Sequence, residues 1–392
     1  MFKHLFRLIW NKKKQNFLLI LEIFLSFLGL FAGATFVLYP INNYKIPLGL
    51  NDENVWIIDL KTLNNVEDID SLKTFRQSVK NVMLSMKEVE DVSYSSLNIP
   101  FSGHGITMGA THHNKEAWGS VFTTEDNYAD ILGLKMLEGR WFSDDDNTAK
   151  ERPAVINATM KEELFPDGNA VGEIIDMKMI GKLKVVGVVN DFKYESEAEI
   201  PPPGIFTRVD TINMRERTSM ILKVSSAADP AFESRVHKTL SNIMKDADIE
   251  IQHLSDMREE RNGNMRIPLI IFLIIACFLI INVALGIFGV LWHNIHKRRG
   301  EIGLRRAIGA TGNDISRQLV TEAVLLATLA VLLGSFFAIQ FPLLKVGALP
   351  VKNYVIALIF SVVFIYALVI VCAIYPGKQA AAIYPADALH ED

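Results

Sequence analysis

"HNIHKRRGEIGLRRAIGATGND", residues 293–314, crowds Lys297, Arg298, Arg299, Arg305 and Arg306 into one short stretch. Before it, Pro268–Trp292 runs without a charge; after it comes a second apolar run, Ala323–Leu344. Two more such runs are Phe17–Tyr39, whose one charge is Glu22, and Tyr354–Tyr375. A helix needs about 20 apolar residues to cross a bilayer core, so each of the four is long enough. Half of the 392 residues are hydrophobic, and the mean hydropathy is +0.22. The expected fold is a membrane protein with four transmembrane α-helices, one plus three, and a large α+β extracytoplasmic domain between the first and second.

Orientation follows the Lys and Arg residues near the membrane ends. Lys3, Arg7, Lys12, Lys13 and Lys14 precede the first span with no acid among them, and the 293–317 loop adds six basic residues against Glu301 and Asp314. Residues 41–266 carry 37 acidic and 26 basic residues, a net charge of −11. Both termini are therefore expected in the cytoplasm and the large domain outside. The expected order along the chain begins with an interfacial helix at 1–16, a span at 17–40, the outer domain at 41–266 and a span at 267–292. A cytoplasmic basic helix and turn at 293–318 and a span at 319–344 follow. A short outer loop at 345–353, a span at 354–376 and a tail at 377–392 complete it.

"AGA" at 32–34 resembles a signal cleavage site, but the apolar run exceeds the roughly 7–15 residues of a signal core, so an uncleaved span is expected. Cys277 and Cys372 both fall within spans, so no disulfide framework is expected. Gly29 and Gly33 form a GxxxG pair that lets another helix approach closely. Glu22, Asn282 and Glu322 are the polar side chains in or near the spans, and such groups are expensive there and candidates for function or pairing. The outer domain alternates strand-like and helix-like patches. Strands are expected at 54–60, 91–99, "GSVFTT" (119–124), the start of "RPAVINATMKEELFPDG", "GKLKVVGVVNDF", "IFTRV", "SMILKVSS" and "DIEIQHL". Helices are expected at 71–90, in "EDNYADILG", after "RPAVIN" and at 229–245.

Enzymatic readings find little support. His104, His112 and His113 share a glycine-rich segment, but adjacent strand histidines face opposite sides, and no HExxH or cysteine cluster joins them; no metal site is expected. Asp144–Asp146 lacks the spaced ligands of a calcium loop and reads as a solvated turn. There is no GxSxG elbow. Gly181-Lys182 and Gly377-Lys378 do not continue to the Ser or Thr of a phosphate-binding loop. No catalytic residue is expected, and nucleic acid is not an expected partner, because the basic cluster is pinned between two spans without aromatic stacking residues.

The basic stretch carries more than topology requires. Glu301 and Arg305 stand at i and i+4, a helix-supporting pair. Ile302, Leu304 and Ile308 add apolar surface, Gly309 ends the helix, and Thr311 with Asp314 forms a capping-box start for the next one. This is a short, stiff, basic and partly apolar helix suited to docking.

"KRRGEIGLRRAIGATGNDISRQLVTEA" closely resembles the signature of MacB/FtsX-type ABC transporter permeases. "YPGKQAAAIYPADALHED" resembles that family's closing segment in Pro376, Ala380, Pro385, Ala388 and Leu389, and "AVINATMKEELFPDGNAVGE" with "LKVVGVVNDF" resembles the MacB-type periplasmic core domain. The fused ATPase domain of MacB has no counterpart in these residues. The resemblance implies a permease dimer, built with a second copy or a paralogue, seated on separate ABC ATPase subunits that carry ATP and Mg. It implies that Arg298, Arg299, Glu301, Ile302, Gly303, Leu304, Arg305, Arg306 and Gly309 make the coupling contact. Charge reversal at Glu301 or at Arg305 and Arg306, or Ile302→Asp, is then expected to uncouple the ATPase while insertion and outer-domain folding stay intact. Export with a periplasmic adaptor and an outer-membrane duct is the leading expectation. Lipoprotein extraction, control of cell-wall hydrolases, and an uncoupled membrane-anchored receptor are the alternatives. Besides these proteins, membrane lipids are the expected partners, in the bacterial inner membrane.

Overall fold

A computed structural model describes residues 13–60, 69–96, 98–166, 168–209, 218–244, 248–344 and 349–382. Most of the amphipathic N-terminal stretch and the closing "IYPADALHED" lie outside these residues. The chain divides into two compact units, Asn42–Met265 and Met1–Ile41 with Arg266–Asp392.

Four helices are long and apolar enough to cross a membrane: α1 (Lys13–Asn43), α6 (Leu254–Lys297), α8 (Gly312–Leu343) and α9 (Val351–Ala381). They form the one-plus-three arrangement that hydropathy indicates. In the membrane unit α1 and α6 pack antiparallel, in steps of seven residues. Glu22 lies against Gly286, Gly29 against Leu279, and Phe36 stacks on Phe272 at 5.1 Å. A Cβ on Gly29 would fall 2.5 Å from Leu279 Cδ1, and one on Gly286 would fall 2.1 Å from Glu22 Oε2. The first half of the GxxxG pair therefore serves packing within the chain, where the absence of a side chain lets the helices close. Gly33 faces Phe272 less tightly, at 3.5 Å. Glu22 is turned toward α6 and fits because position 286 has no side chain. Asn282 donates to the Phe278 carbonyl one turn back, at 2.8 Å, which satisfies its amide within its own helix. Phe27, fully buried, presses on Gly334 of α8, and Tyr366 of α9 donates to Thr328 of α8 at 3.0 Å.

The outer unit contains two layers, both parts of one eleven-stranded sheet. The first is antiparallel, in the order β11 (Ile249–His253), β1 (Val55–Leu60), β10 (Thr218–Val224), β2 (Val89–Ser96). With α2 (Ile69–Leu84) after β1 and α5 (Pro230–Ile243) after β10, the sequence order is a split βαββαβ unit. Alternation along β1 sends Trp56 and Ile58 to the helices, with Val79, Met83, Phe232, Val236 and Leu240, while Val55 and Ile57 join the opposite core. Asp229 caps α5 by accepting from the Phe232 amide at 2.8 Å, with Pro230 in the first turn, a start that suits both residues.

Between β2 and β10 the chain inserts a second layer, joined to β2 by the pairing of Ser95 with Thr124. Its pairings run β4 (Lys115–Thr124), β3 (Thr107–His112), β7 (Ile174–Met177), β8 (Gly181–Val189), β6 (Arg152–Asn157), β9 (Gly204–Arg208) and return to β4. The parallel β4–β9 pairing, with Phe122 opposite Phe206, closes the circuit and removes both sheet edges. β5 (Met136–Gly139) pairs with β8 from outside that circuit. Two short helices, α3 (Tyr128–Leu132) and α4 (Ala158–Leu164), cover it.

Two sequence readings need correction. Asp146 is not solvated: its carboxylate accepts from Arg140 at 2.6 and 2.8 Å and from the Ser143 amide at 3.0 Å, and these bonds hold its pKa below the usual carboxylate range. His112 and His113 do meet, because His113 turns with φ +50° between β3 and β4. Their Nε2 and Nδ1 atoms lie 2.8 Å apart, while His112 Nδ1 lies 2.9 Å from the Ile174 carbonyl. Among the described residues no group of three or more His, Cys, Asp or Glu gathers to hold a metal.

The start and end of the outer unit are tied together by residues 193–198. Lys193, fully buried, donates to the carbonyls of Asn43 and Glu197 at 2.7 and 2.8 Å, and burial lowers its pKa. Asn43 donates to the Ala198 carbonyl at 2.9 Å. From the first turns of α6, Arg258 pairs with Asp52 at 3.0 Å and Glu197 at 3.3 Å, and Asn262 accepts from the Glu197 amide.

Gly139, at the end of β5, has φ +66°, and a Cβ there would fall 2.2 Å from the Val186 carbonyl oxygen; Gly181 has φ +97° but open space around it. Gly181→Ala should cost about 1 kcal/mol from the left-handed backbone alone. Gly139→Ala, which also drives Cβ into fixed backbone, should cost at least about 3 kcal/mol. Thermal melting of the two purified variants checks this; equal shifts would refute the packing argument.

Candidate coupling site

The basic stretch folds as α7 (Arg299–Ala307), between the second and third candidate spans. Gly309, with φ +100°, turns the chain after it. Thr311 and Asp314 then form a reciprocal capping box at the start of α8, with the Asp314 amide donating to the Thr311 hydroxyl at 3.3 Å and the Thr311 amide to the Asp314 carboxylate at 3.1 Å. The expected Glu301–Arg305 pair is present.

Arg298, Arg305 and Arg306 make bonds within the chain. Arg298 Nη1 donates to both carboxylate oxygens of Glu322 at 3.2 Å, and its Nε lies 3.6 Å from Glu301. The Arg298 and Glu322 side chains are 13% and 14% exposed. Arg305 donates to Gln318 Oε1 at 2.8 Å, and Gln318 donates on to Glu322 at 3.4 Å. Arg306 donates to the Ala381 carbonyl at the end of α9. Glu322 is thus the centre of a network linking α7 to α8.

The apolar residues of α7 divide. Ile302 is 6% exposed and packs with Ile295, Ile315, Leu319 and Ala380; Gly303 is also buried. Leu304 and Ile308 stand out at 55% and 79% exposed. Ile302 therefore seats α7 on the bundle, and charge reversal at Arg305 and Arg306 would loosen that seat as well as any outside contact. The sequence signal for this network is Glu322, which lies within an apolar helix, where a buried carboxylate needs a cation.

The MacB-like periplasmic core domain family matches residues 29–238, and the FtsX-like permease C-terminal family matches residues 273–385. The chain belongs to the MacB/FtsX-type ABC transporter permeases. This permease is a multi-pass membrane protein with a MacB-like periplasmic core domain. It is 26% identical over 325 residues to the macrolide export ATP-binding/permease protein MacB of Bdellovibrio bacteriovorus, covering 79% of this chain and 48% of that protein. It is 24% identical over 301 residues to the ABC transporter permease YvrN of Bacillus subtilis, covering 72% and 73%. The permease spans about half the length of the MacB relatives it matches. The crystal structure of the periplasmic region of MacB from Actinobacillus actinomycetemcomitans aligns at a TM-score of 0.40 and 15% identity, over 56% of this chain and 97% of that one.

Removing one partner of a buried pair leaves an uncompensated charge, whereas replacing both can be close to neutral. Arg298→Met or Glu322→Gln alone should each destabilise the membrane unit by about 1–3 kcal/mol, below the cost of a fully buried pair. The double variant Arg298→Met, Glu322→Gln should lose less than the sum of its singles. A double-mutant cycle by thermal melting reads the coupling directly; strict additivity would mean that the pair does not act as a unit.

Proposed function

We propose that this permease is the membrane subunit of an ATP-driven export complex, in which α7 docks on a separate ABC ATPase and passes its movements to the periplasmic core domain. The observation that carries this is the division of α7. One face is bonded to α8 and α9 through Arg298, Arg305, Arg306 and Ile302, and the other offers Leu304 and Ile308 to water. Two large exposed apolar residues on an otherwise basic helix suit a hot spot for a partner protein. Their fastening to the bundle means that a push on them is not absorbed by a loose loop. Glu301 and Arg299 form the polar rim of that contact.

In this proposal ATP and Mg are held by the partner ATPase, and α7 lies on the cytoplasmic side, with both termini. Helix α6 is the path of transmission. Arg258 and Asn262 in its first turns grip Asp52 and Glu197 of the periplasmic unit, while Ile295 near its other end belongs to the α7 seat. Two permease chains, identical or paralogous, would pair on an ATPase dimer in the inner membrane. The export reading draws on the names of the MacB relatives; an adaptor and an outer-membrane duct would extend the route.

Leu304→Asp with Ile308→Asp should leave insertion and thermal stability unchanged and reduce co-purification of the partner ATPase by about tenfold or more, as removal of a hot spot does. Ile302→Asp should instead destabilise the membrane unit by at least about 2 kcal/mol, the worth of a buried isoleucine. Full ATPase binding and transport by the Leu304/Ile308 double variant would contradict the proposal.

A further inference from the structure

The periplasmic unit holds a second charged region that the coupling reading does not use. On α2, Lys73, Arg76, Gln77 and Lys80 recur at i, i+3, i+4 and i+7, which places them on one face. That face borders a cleft of about 750 Å³, whose far wall includes Thr207 and Arg208 of β9 and Pro153 of β6. The volume falls within the range of about 300–1,000 Å³ found for small-molecule sites.

Among the described residues, every carboxylate lining the cleft lies near a cation, with Asp126 and Asp144 sharing Arg208. Lys80 lies 2.8 Å from Glu125. Arg208 holds Asp126 in two bonds of 2.6 Å and lies 3.7 Å from Asp144. Asp146 is taken by Arg140. Lys73 and Arg76 line the cleft beside these pairs. Lys73 is exposed at the mouth. Arg76 is 7% exposed, and its Nε and Nη1 have no hydrogen-bond partner. Its guanidinium lies 5.7 Å from the centre of the buried Tyr94 ring. Burial lowers its pKa, and the nearby Tyr94 and Glu125 oppose this; an arginine nevertheless stays charged in proteins. A buried guanidinium with unmet donors beside a cleft is an arrangement that an incoming anion completes.

We propose that this cleft binds the carboxylate or phosphate of a small anionic ligand, anchored by Arg76 and assisted by Lys73. Because α2 belongs to the split βαββαβ layer and β6 and β9 to the closed circuit, the ligand bridges the two layers of the periplasmic domain. Occupancy therefore stabilises the domain by mass action. The site is independent of α7 and of any ATPase.

The test uses the full chain in lipid nanodiscs, titrated with sodium succinate and with inorganic pyrophosphate against sodium chloride at matched ionic strength. The expected result is a saturable rise in Tm with at least one of the two probes, absent with chloride. A response to succinate alone identifies a carboxylate site, and one to pyrophosphate alone a phosphate site. Arg76→Met should weaken binding by about tenfold or more and Lys73→Glu by at least about threefold, as loss of charge-assisted bonds does, while Lys178→Ala, remote on the β7–β8 turn, should bind as the parent does. No rise above chloride with either probe overturns the proposal, as does unchanged binding in Lys73→Glu, whose exposed position spares the fold if Arg76→Met does not assemble.

Discussion

The two-toothed contact between Arg298 and Glu322 carries the rest of the membrane-side architecture. A nine-residue helix is too short to persist in water by itself, because nucleation costs more than so few hydrogen bonds return. α7 persists because Arg298, Arg305 and Arg306 bind a carboxylate, an amide and a helix-terminal carbonyl, and because Ile302 is buried beneath them. Glu322 in turn is tolerable inside an apolar helix only because a guanidinium neutralises it. Each makes the other possible, and the by-product is a helix whose orientation is set by the bundle and whose remaining apolar residues point away from it.

Close approach does comparable work elsewhere. In the membrane unit small residues occur where large ones must enter: Gly29 under Leu279, Gly286 under Glu22, Gly334 under Phe27. Without a hydrophobic drive between helices in lipid, such fits supply the association energy. In the periplasmic unit the closing element is the parallel β4–β9 pairing, which brings Phe122 against Phe206 and completes the circuit. Lys193 and Arg258 then fasten the points where the chain enters and leaves.

Much of this was legible from residues alone, for physical reasons. Apolar run length and the placement of lysine and arginine depend on local composition, so the one-plus-three layout with an inserted domain could be read directly. The longer strands β1, β8 and β10 show themselves through β-branched runs, and α5 through its Asp-Pro start. β5 and β7, four residues each, are too short to establish a period, and Gly109 and Ala110 mask the alternation in β3. The closed circuit depends on a pairing between strands some eighty residues apart, which no local pattern encodes. The polar run from Ser255 to Asn264 resembles a loop, although it opens the longest helix in the chain. In α7 the Glu301–Arg305 pair and the Thr311–Asp314 box follow from spacing. Which of Ile302, Leu304 and Ile308 turns inward depends on Ile315 and Leu319 of the next helix, and so could not be read from α7 itself.

Hydrogen–deuterium exchange of the backbone amides of Arg299–Ala307, in the permease purified by itself, bears most directly on the claim that α7 is fastened to the bundle. The account predicts protection comparable to the first turns of α8, with slow exchange over minutes or longer. Complete exchange within seconds, as for an isolated nine-residue helix, would contradict it.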